Sequence, residues 1–513
     1  MKDASWFLGI DLGTGSCKAA VVDIEANILG FGVGEYSGGD VHDRWQEQNP
    51  QQLLEATITS VRNAVAQADV DPGNCVGLSL GGALHSLLAL DRRGEPLTGV
   101  ITWADGRAVD QAEAIRKNSL AARLYQETGC PPHGMYPLYK IIWLREKKPE
   151  IFRNVWRYVT AKEYVFSRMT GEYLVDYCLA AGSGLLNTHS FSWDSLCLDA
   201  ADLRKDQLAE PAPPLTVHDG IEPDVARLMG IRQDVPVVLG SSDAANSNLG
   251  AGAVSPRQAT CMIGTSGAFR AICPRPILDR KARTWCYVVD ETHWLVGGAI
   301  NNGGVALAWL RDCLNQSRPN SAAKNLLSFE DVLAFASQSP AGAGGLICLP
   351  LFAGERSPNW NLNARAVFFG LSLAHDARHL CRALVEGIAL RFKNLNEVLT
   401  EVGVDIKQII ASGGFTQSEF WLQVVADALN REMIVPVWGE TSCLGAAFWA
   451  MLGTGSVNRL ESLKDFMKPG STRFPRAENA AVYDRMYPLY MKLYQSVSGN
   501  FDEIARLQQE LNL

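Results

Sequence analysis

The chain has 513 residues, 47% of them hydrophobic and 20% charged, with a formal net charge of -8. That length exceeds what one hydrophobic core supports, so two large domains are expected. The acidic balance argues against a nucleic-acid partner, whose usual footprint is a basic stripe. The 12 cysteines stand singly, with no C-x-x-C pair and no H-E-x-x-H. Zinc is therefore not expected, and reduced thiols in a cytoplasmic protein are. "MKDASWFLGIDLG" does not read as a cleaved leader, and no run approaches the roughly 20 apolar residues of a membrane span.

In chain order, three short strands come first: "WFLGID", "CKAAVVDI" and "ILGFGVGEY". A Gly-Thr-Gly-Ser turn and an Asn-bearing turn at Glu25 to Asn27 join them. "NPQQLLEATITSVRNAVAQADV" then carries apolar residues at helical spacing, with Pro50 at the first helical position. "CVGLSLGGALHSLLALDRRGEPL" reads as strand, glycine-rich bend, strand and a turn at Arg93-Gly94. Residues 108–170 are expected to be mostly helical.

The second half repeats the plan. "VPVVLGSSDAANSNLGAGAV" is strand, polar turn and helix start, and "QATCMIGTSGAFRAIC" and "HWLVGGAI" are strands. "HLCRALVEGIALRFKNLNEVLTEVG" is a long helix; "IKQIIASGGFTQSEFWLQVVADAL" is strand, glycine pair, helix; "VWGETSCLGAAFWAML" is loop, then helix. Strands followed by alternating strand and helix point to mixed sheets covered by helices. Gly, Ala, Ser and Pro cluster at 250–256, which sets the expected boundary between domains 1–252 and 253–513. The last stretch, "YPLYMKLYQSVSGNFDEIARLQQELN", reads as one amphipathic helix, packed on its own half or back on the first domain. The whole is an internal duplication, with one glycine-threonine turn between strands in each half, facing across a central cleft.

Asp11 ends the first strand beside "GTGS", and a related turn stands in "IGTSGA". Successive backbone N–H groups in a tight glycine turn hold phosphate, and the hydroxyls of Thr14, Ser16, Thr265 and Ser266 add donors. One such turn alone reads equally as an ordinary hairpin; two related turns between strands favour an anion site. The chain has no G-x-x-x-x-G-K-[ST], and "GTGSCK" lacks the third glycine of G-x-G-x-x-G. At the base of a triphosphate, Asp11 would hold magnesium, directly or through water. The plain alternative is a carboxylate that caps its turn. Asp243 in "GSSDAANSNLGAG" follows an apolar strand and opens a helix, a position for a rigid, partly buried general base in phosphoryl transfer. The alternative there is an N-cap aspartate.

These residues resemble the FGGY family of carbohydrate kinases, over residues 6 to 455. Its first signature stands as "MYPLYKIIWLREK" at 135–147, where Lys147 departs from the usual polar or acidic last position. Its second stands as "AVFFGLSLAHDARHLCRALVEG" at 366–387. The resemblance implies an α/β fold of two duplicated actin-like (ribonuclease H-like) ATPase domains, each a mixed five-stranded sheet flanked by helices. The first would be mainly sugar-binding and the second mainly nucleotide-binding. ATP and magnesium are implied, with Asp11 near the metal and Gly13, Thr14, Gly15, Ser16 and Lys18 near the phosphates. Gly264, Thr265 and Ser266 would take the other side of the nucleotide, and Gly413, Gly414 and Gln417 the adenosine. Asp243 matches the family's catalytic aspartate.

His85, Trp103, Asp105 and Arg107 occupy positions that meet substrate in this family, and Asn301 and Asn302 would offer amides to hydroxyls. His85 reads equally as a satisfied core histidine, and Trp103 as packing. Glycerol-kinase-like members carry an Arg-Glu pair where Leu84 and His85 stand, which turns the expectation away from glycerol. "ALHSLLALD", "ITWADGRA", "GGAINNGG" and "LPLFAGERSPNWNLNAR" look most like the gluconate kinases of the family, with xylulose and other pentulose or polyol kinases as the alternative. The implied partner is a small sugar or sugar acid; a homodimer is left open. A gluconate carboxylate would want a cation such as Arg270 or Lys140. From another class, a nucleotide-driven switch of the actin kind shares the fold. A sugar sensor without catalysis would more plausibly have lost Asp11 or Asp243.

Overall fold

The computed structural model describes residues 4–36, 41–42, 45–316 and 326–511. The three N-terminal strands form as their alternation requires: β1 (Trp6–Leu12), β2 (Ser16–Asp23) and β3 (Ile28–Glu35). With β4 (Cys75–Gly82), β5 (Val217–His218) and β6 (Val237–Val238) they make a six-stranded mixed sheet of order β5-β6-β4-β1-β2-β3. β1 pairs antiparallel with β2, setting Asp11 opposite Lys18, and parallel with β4. Leu8, Ile10, Leu78, Leu80 and Val237 are buried in the core beneath.

The second sheet contains β7 (Gln258–Ile263), β8 (Gly267–Cys273), β9 (Trp285–Val288), β10 (Trp294–Ile300), β11 (Gln408–Ser412), β12 (Met433–Pro436) and β13 (Pro469–Arg473). Its order is β9-β10-β8-β7-β11-β12-β13. The β7–β8 hairpin beside the parallel strand β11 repeats the plan of β1–β2 beside β4. Six and seven strands replace the expected five per sheet. The additions include β5, only two residues long, and β13, which begins at a proline and stays largely exposed. Neither carries an apolar alternation that a sequence could reveal.

The chain divides into two compact units. It leaves the first at Ser255, and returns to it over Ile272–Val296 and again over Glu440–Met467; the rest forms the second. Helix α1 (Pro50–Ala68) begins as predicted with Pro50 in its first turn, capped by Asn49, whose side chain accepts from Gln51 N. Among the described residues no helix is long and apolar enough to cross a membrane.

In the first unit, α2 (Asp243–Gly250) and α3 (Thr441–Gly453) pack together, and α3 also lies on β1. The approach is backbone to backbone. A Cβ on Gly250 would stand 1.9 Å from Thr441 O, one on Gly445 1.9 Å from Asn246 O, and one on Gly9 2.0 Å from Cys443 O. Only glycine permits this. Trp449 Nε1 donates to Asn246 Oδ1 at 2.9 Å, satisfying both groups inside the contact.

The C-terminal stretch is not one helix. It breaks at Gly499–Asn500 into α4 (Ala477–Ser498) and α5 (Phe501–Glu510), because glycine is a poor helix former and ends the first segment. Residue 512 of the expected helix lies outside the described residues. Both helices pack within the second unit: Tyr483 OH donates to Glu386 (2.9 Å), Tyr494 OH to Glu355 (2.6 Å), and Arg365 to Gln508 (2.6 Å).

Gly445→Ala should lower the unfolding free energy by about 3 kcal/mol, because neither backbone can move away from the added methyl. Gly499→Ala, whose methyl would meet nothing within 4 Å, should shift it by less than about 1 kcal/mol. Urea midpoints measure both, and equal midpoints would refute the close crossing.

Candidate active site

In the first unit the carboxylates of Asp243 and Glu440 both act on Asp11. Asp11, one residue before the end of β1, is half-buried as a residue, but its Oδ1 is sealed and has no hydrogen-bond partner. Burial pushes its pKa up to about 7, and Asp243 and Glu440 add to the rise while Lys18 opposes it. Lys18, across the ladder from Asp11, forms an ion pair with Glu440, its Nζ 2.9 and 3.1 Å from the two carboxylate oxygens. Glu440 immediately precedes α3. It was missed in the sequence, since nothing local distinguishes it from a surface glutamate.

Asp243 is the first residue of α2 and not its N-cap. Ser242 takes that role, its side chain accepting from Ala245 N. Asp243 Oδ1 accepts from Ala244 N at 2.7 Å. Asp11, in turn, does not close its own turn: Gly13 N donates to Ser16 O at 3.1 Å. The Asp11 carboxylate, with its orphaned Oδ1, and that of Asp243 make a hard-oxygen donor set that fits magnesium. Among the described residues no group of three or more His, Cys, Asp or Glu could hold a metal alone. Such an ion would take its remaining oxygens from phosphate and water.

The first turn is pinned from behind through its carbonyls. Tyr36 OH donates to Gly13 O, Gln48 Nε2 to Thr14 O, and Trp103 Nε1 to Thr14 Oγ1 at 2.9 Å. A Cβ on Gly15 would meet nothing within 4 Å, so space opens over the turn. The second turn is held in the same manner. Gly304 N donates to Gly264 O (2.7 Å), and Gly303 N and Val305 N to Thr265 O (3.1 and 3.2 Å). Thr265 is exposed and Ser266 half-buried at its tip.

In the second unit a pocket of about 1110 Å³ brings Gly264 and Thr265 of this turn together with Gly414 and Gln417. Gly413 packs on β7, where a Cβ would stand 2.6 Å from Ile263 O, and has a φ of 93°. Val305, Leu333, Phe415 and Trp421 supply apolar walls, the usual lining of a small-molecule site. Leu333 comes from a helix, Phe329–Ser337, whose sequence shows only ordinary amphipathicity.

The remaining predicted residues fall into two groups. His85 is buried with a left-handed φ of 68°, and its ring stands edge-on to Tyr136 and Tyr287. Its Nδ1 lies 2.6 Å from Gly182 O, a carbonyl, so Nδ1 is the donor of that bond. Trp103 bonds the first turn, as above. Asp105 and Arg107, by contrast, spend their charges on each other and on neighbours. Arg107 donates to both Asp105 oxygens at 2.8 and 2.7 Å, pairs with Glu47 at 2.7 Å, and lies over Trp45; Asp105 also accepts from Gln46 N.

Asn302 uses both ends of its amide on the backbone of Ala353 and Gly354, and Asn301 donates to Ala353 O. Arg270 is buried on β8. Lys140 is sealed, and all its contacts are backbone carbonyls: His85 O (2.5 Å), Thr102 O (2.8 Å) and Ile101 O (3.4 Å). The expectation that it meets a substrate carboxylate is corrected by that geometry, since the ammonium's three protons already have acceptors.

Residues 6–250 match the FGGY family of carbohydrate kinases, N-terminal domain, and residues 259–454 its C-terminal domain. A gluconokinase of Bacillus licheniformis is 35% identical over 514 residues, covering 99% of each chain. A xylulose kinase of Staphylococcus epidermidis is 28% identical over 495 residues, covering 95% of this chain and 96% of that one. Among solved structures, a gluconate kinase from Lactobacillus acidophilus superposes with a TM-score of 0.92 at 31% identity, over 98% of this chain and 100% of that one. With paired carboxylates, twin phosphate-type turns and both domain matches in register with its two sheets, the chain belongs to the FGGY family of carbohydrate kinases.

Proposed function

We propose that the protein is an ATP-dependent gluconate kinase, transferring the γ-phosphoryl group to the primary hydroxyl of D-gluconate to give 6-phosphogluconate and ADP. The observation that carries the chemistry is the Asp11–Asp243 pair, one carboxylate orphaned at a strand end and the other on the first turn of a helix. The preference for gluconate rests on full-length likeness, 35% to a gluconokinase against 28% to a xylulose kinase.

Asp243 accepts the proton of the attacking hydroxyl as the oxygen–phosphorus bond forms and the bond to the leaving ADP oxygen breaks. Magnesium, when bound with ATP, neutralises phosphate charge, and Asp11 is the residue that would hold it. Gly13, Thr14, Gly15, Ser16 and Lys18 serve the phosphates from one domain, 1–252. Gly264, Thr265 and Ser266 form the second phosphate motif, in domain 253–513, whose pocket takes the nucleoside beside Gly413, Gly414 and Gln417. His85 Nε2 accepts from a substrate hydroxyl, and Trp103 walls the acceptor site. Asp105, Arg107, Asn301 and Asn302 shape the acceptor loops through the pairs they make. Twelve free cysteines, eleven of them buried, suit the reducing cytoplasm.

Asp243→Asn should lower kcat by roughly 10²–10⁴ with the KM for ATP within about threefold; near-normal turnover would remove Asp243 as the base. Coupled ADP release should give D-gluconate a kcat/KM at least about tenfold above that of D-xylulose, a difference near 1.4 kcal/mol in transition-state binding. The reverse order would favour the xylulose-kinase reading.

A further inference from the structure

Lys140 lies on the helix Pro137–Lys147, fully buried, and its hydrogen bonds among the described residues go to backbone carbonyls. A buried cation without a carboxylate is costly unless hydrogen bonds satisfy each proton. Here the acceptors are carbonyls from two loops that meet directly at a Leu87–Ile101 backbone bridge (3.0 and 2.8 Å): His85 O beside that bridge on one segment of chain, Thr102 O and Ile101 O on the other. Both loops carry proposed acceptor-site residues. His85 itself has a left-handed backbone, a conformation kept in a non-glycine residue only where its surroundings enforce it. The next residue after Thr102 is Trp103, whose Nε1 reaches Thr14 of the first phosphate-type turn.

We propose that Lys140 is a positioning residue of the acceptor site: its ammonium ties the His85 turn to the 101–103 segment, and so sets where His85 and Trp103 stand relative to Thr14. The inference rests on the acceptor-site reading of His85 and Trp103 above. Three carbonyl oxygens match the three protons of an ammonium. A neutral amine would bring two protons and a lone pair to the same cage, leaving one oxygen unsatisfied and repelled. Burial lowers the Lys140 pKa to about 7, with Asp105 opposing that shift and Arg107 adding to it. Those two, with Glu47 beside Arg107, are the charged groups of the neighbouring loop. The clamp therefore weakens as pH rises through about 7.

The test compares Lys140→Met, Lys140→Arg and His85→Ala in the full-length protein, with KM for gluconate and for ATP measured from pH 6 to 9. Lys140→Met should raise the gluconate KM at least about tenfold and leave the ATP KM within about threefold. In the native protein the gluconate KM should climb above pH 7; Lys140→Arg, whose guanidinium does not titrate there, should remove that climb. Equal rises in both KM values, or no rise, would overturn the inference. If Lys140→Met does not fold, a native gluconate KM that stays flat across pH 7 overturns it, and a climb that Lys140→Arg removes supports it. His85→Ala separates the two readings: an unchanged gluconate KM there rejects the acceptor site itself, whereas a raised one beside an unaffected Lys140→Met rejects only the clamp.

Discussion

The site depends first on a steric constraint, the contact of α3 with β1 and α2 at backbone distance. Gly9, Gly250 and Gly445 remove their own side chains at the crossing points, so main chain meets main chain there. Asp11 is near the end of one, Asp243 begins the second, and Glu440 immediately precedes the third. Their carboxylates are brought together by how closely their backbones lie and not by attraction. Burial first, and then the like charges of Asp243 and Glu440, push the Asp11 pKa up. Packing energy spread over α2, α3 and β1 holds an electrostatic arrangement that isolated side chains would avoid, the kind of strain expected where chemistry is done.

Around that cluster the polar backbone is arranged by accounting. In both phosphate-type turns the carbonyls are consumed from behind, by Tyr36 and Gln48 in one case and by the amides of Gly303, Gly304 and Val305 in the other. Successive N–H groups in glycine turns of this kind are the donor set that holds an anion. Lys18 brings a positive charge to the same end of the first sheet, restrained by Glu440.

The second unit shows a longer chain of support. Tyr494 of α4 and Arg391 both donate to buried Glu355, and Arg391 also reaches Ser357 O. The neighbouring residues 353–357 are bonded in turn to Ala299, Ile300, Asn301 and Asn302. Immediately after these, residues 303–305 grip the second turn. Helix α4 thus braces a loop far from it in sequence, through hydrogen bonds and the Arg391–Glu355 ion pair. These buried charges serve geometry, since each is paired and further hydrogen-bonded.

Much of this was legible in the residues. Apolar alternation and turn chemistry located β1, β2, β3, α1 and both glycine turns, because those signals are local. The carboxylates at 11 and 243 were visible for the same reason, each standing at the edge of a predicted element. What a side chain does once its neighbours arrive is not local. Asp105, Arg107 and Asn302 are candidates for substrate in one dimension, and in three each is also held by protein partners that the sequence does not show. Lys140 looks like an anion's counter-ion and holds carbonyls. By itself the sequence determined the elements, the repeated plan and which residues carry charge. The structure set the helix boundary one residue earlier, so that Ser242 and not Asp243 caps α2; and only the tertiary structure decided that Glu440 stands with Asp11 and that Trp449 meets Asn246, because those partners lie hundreds of residues apart.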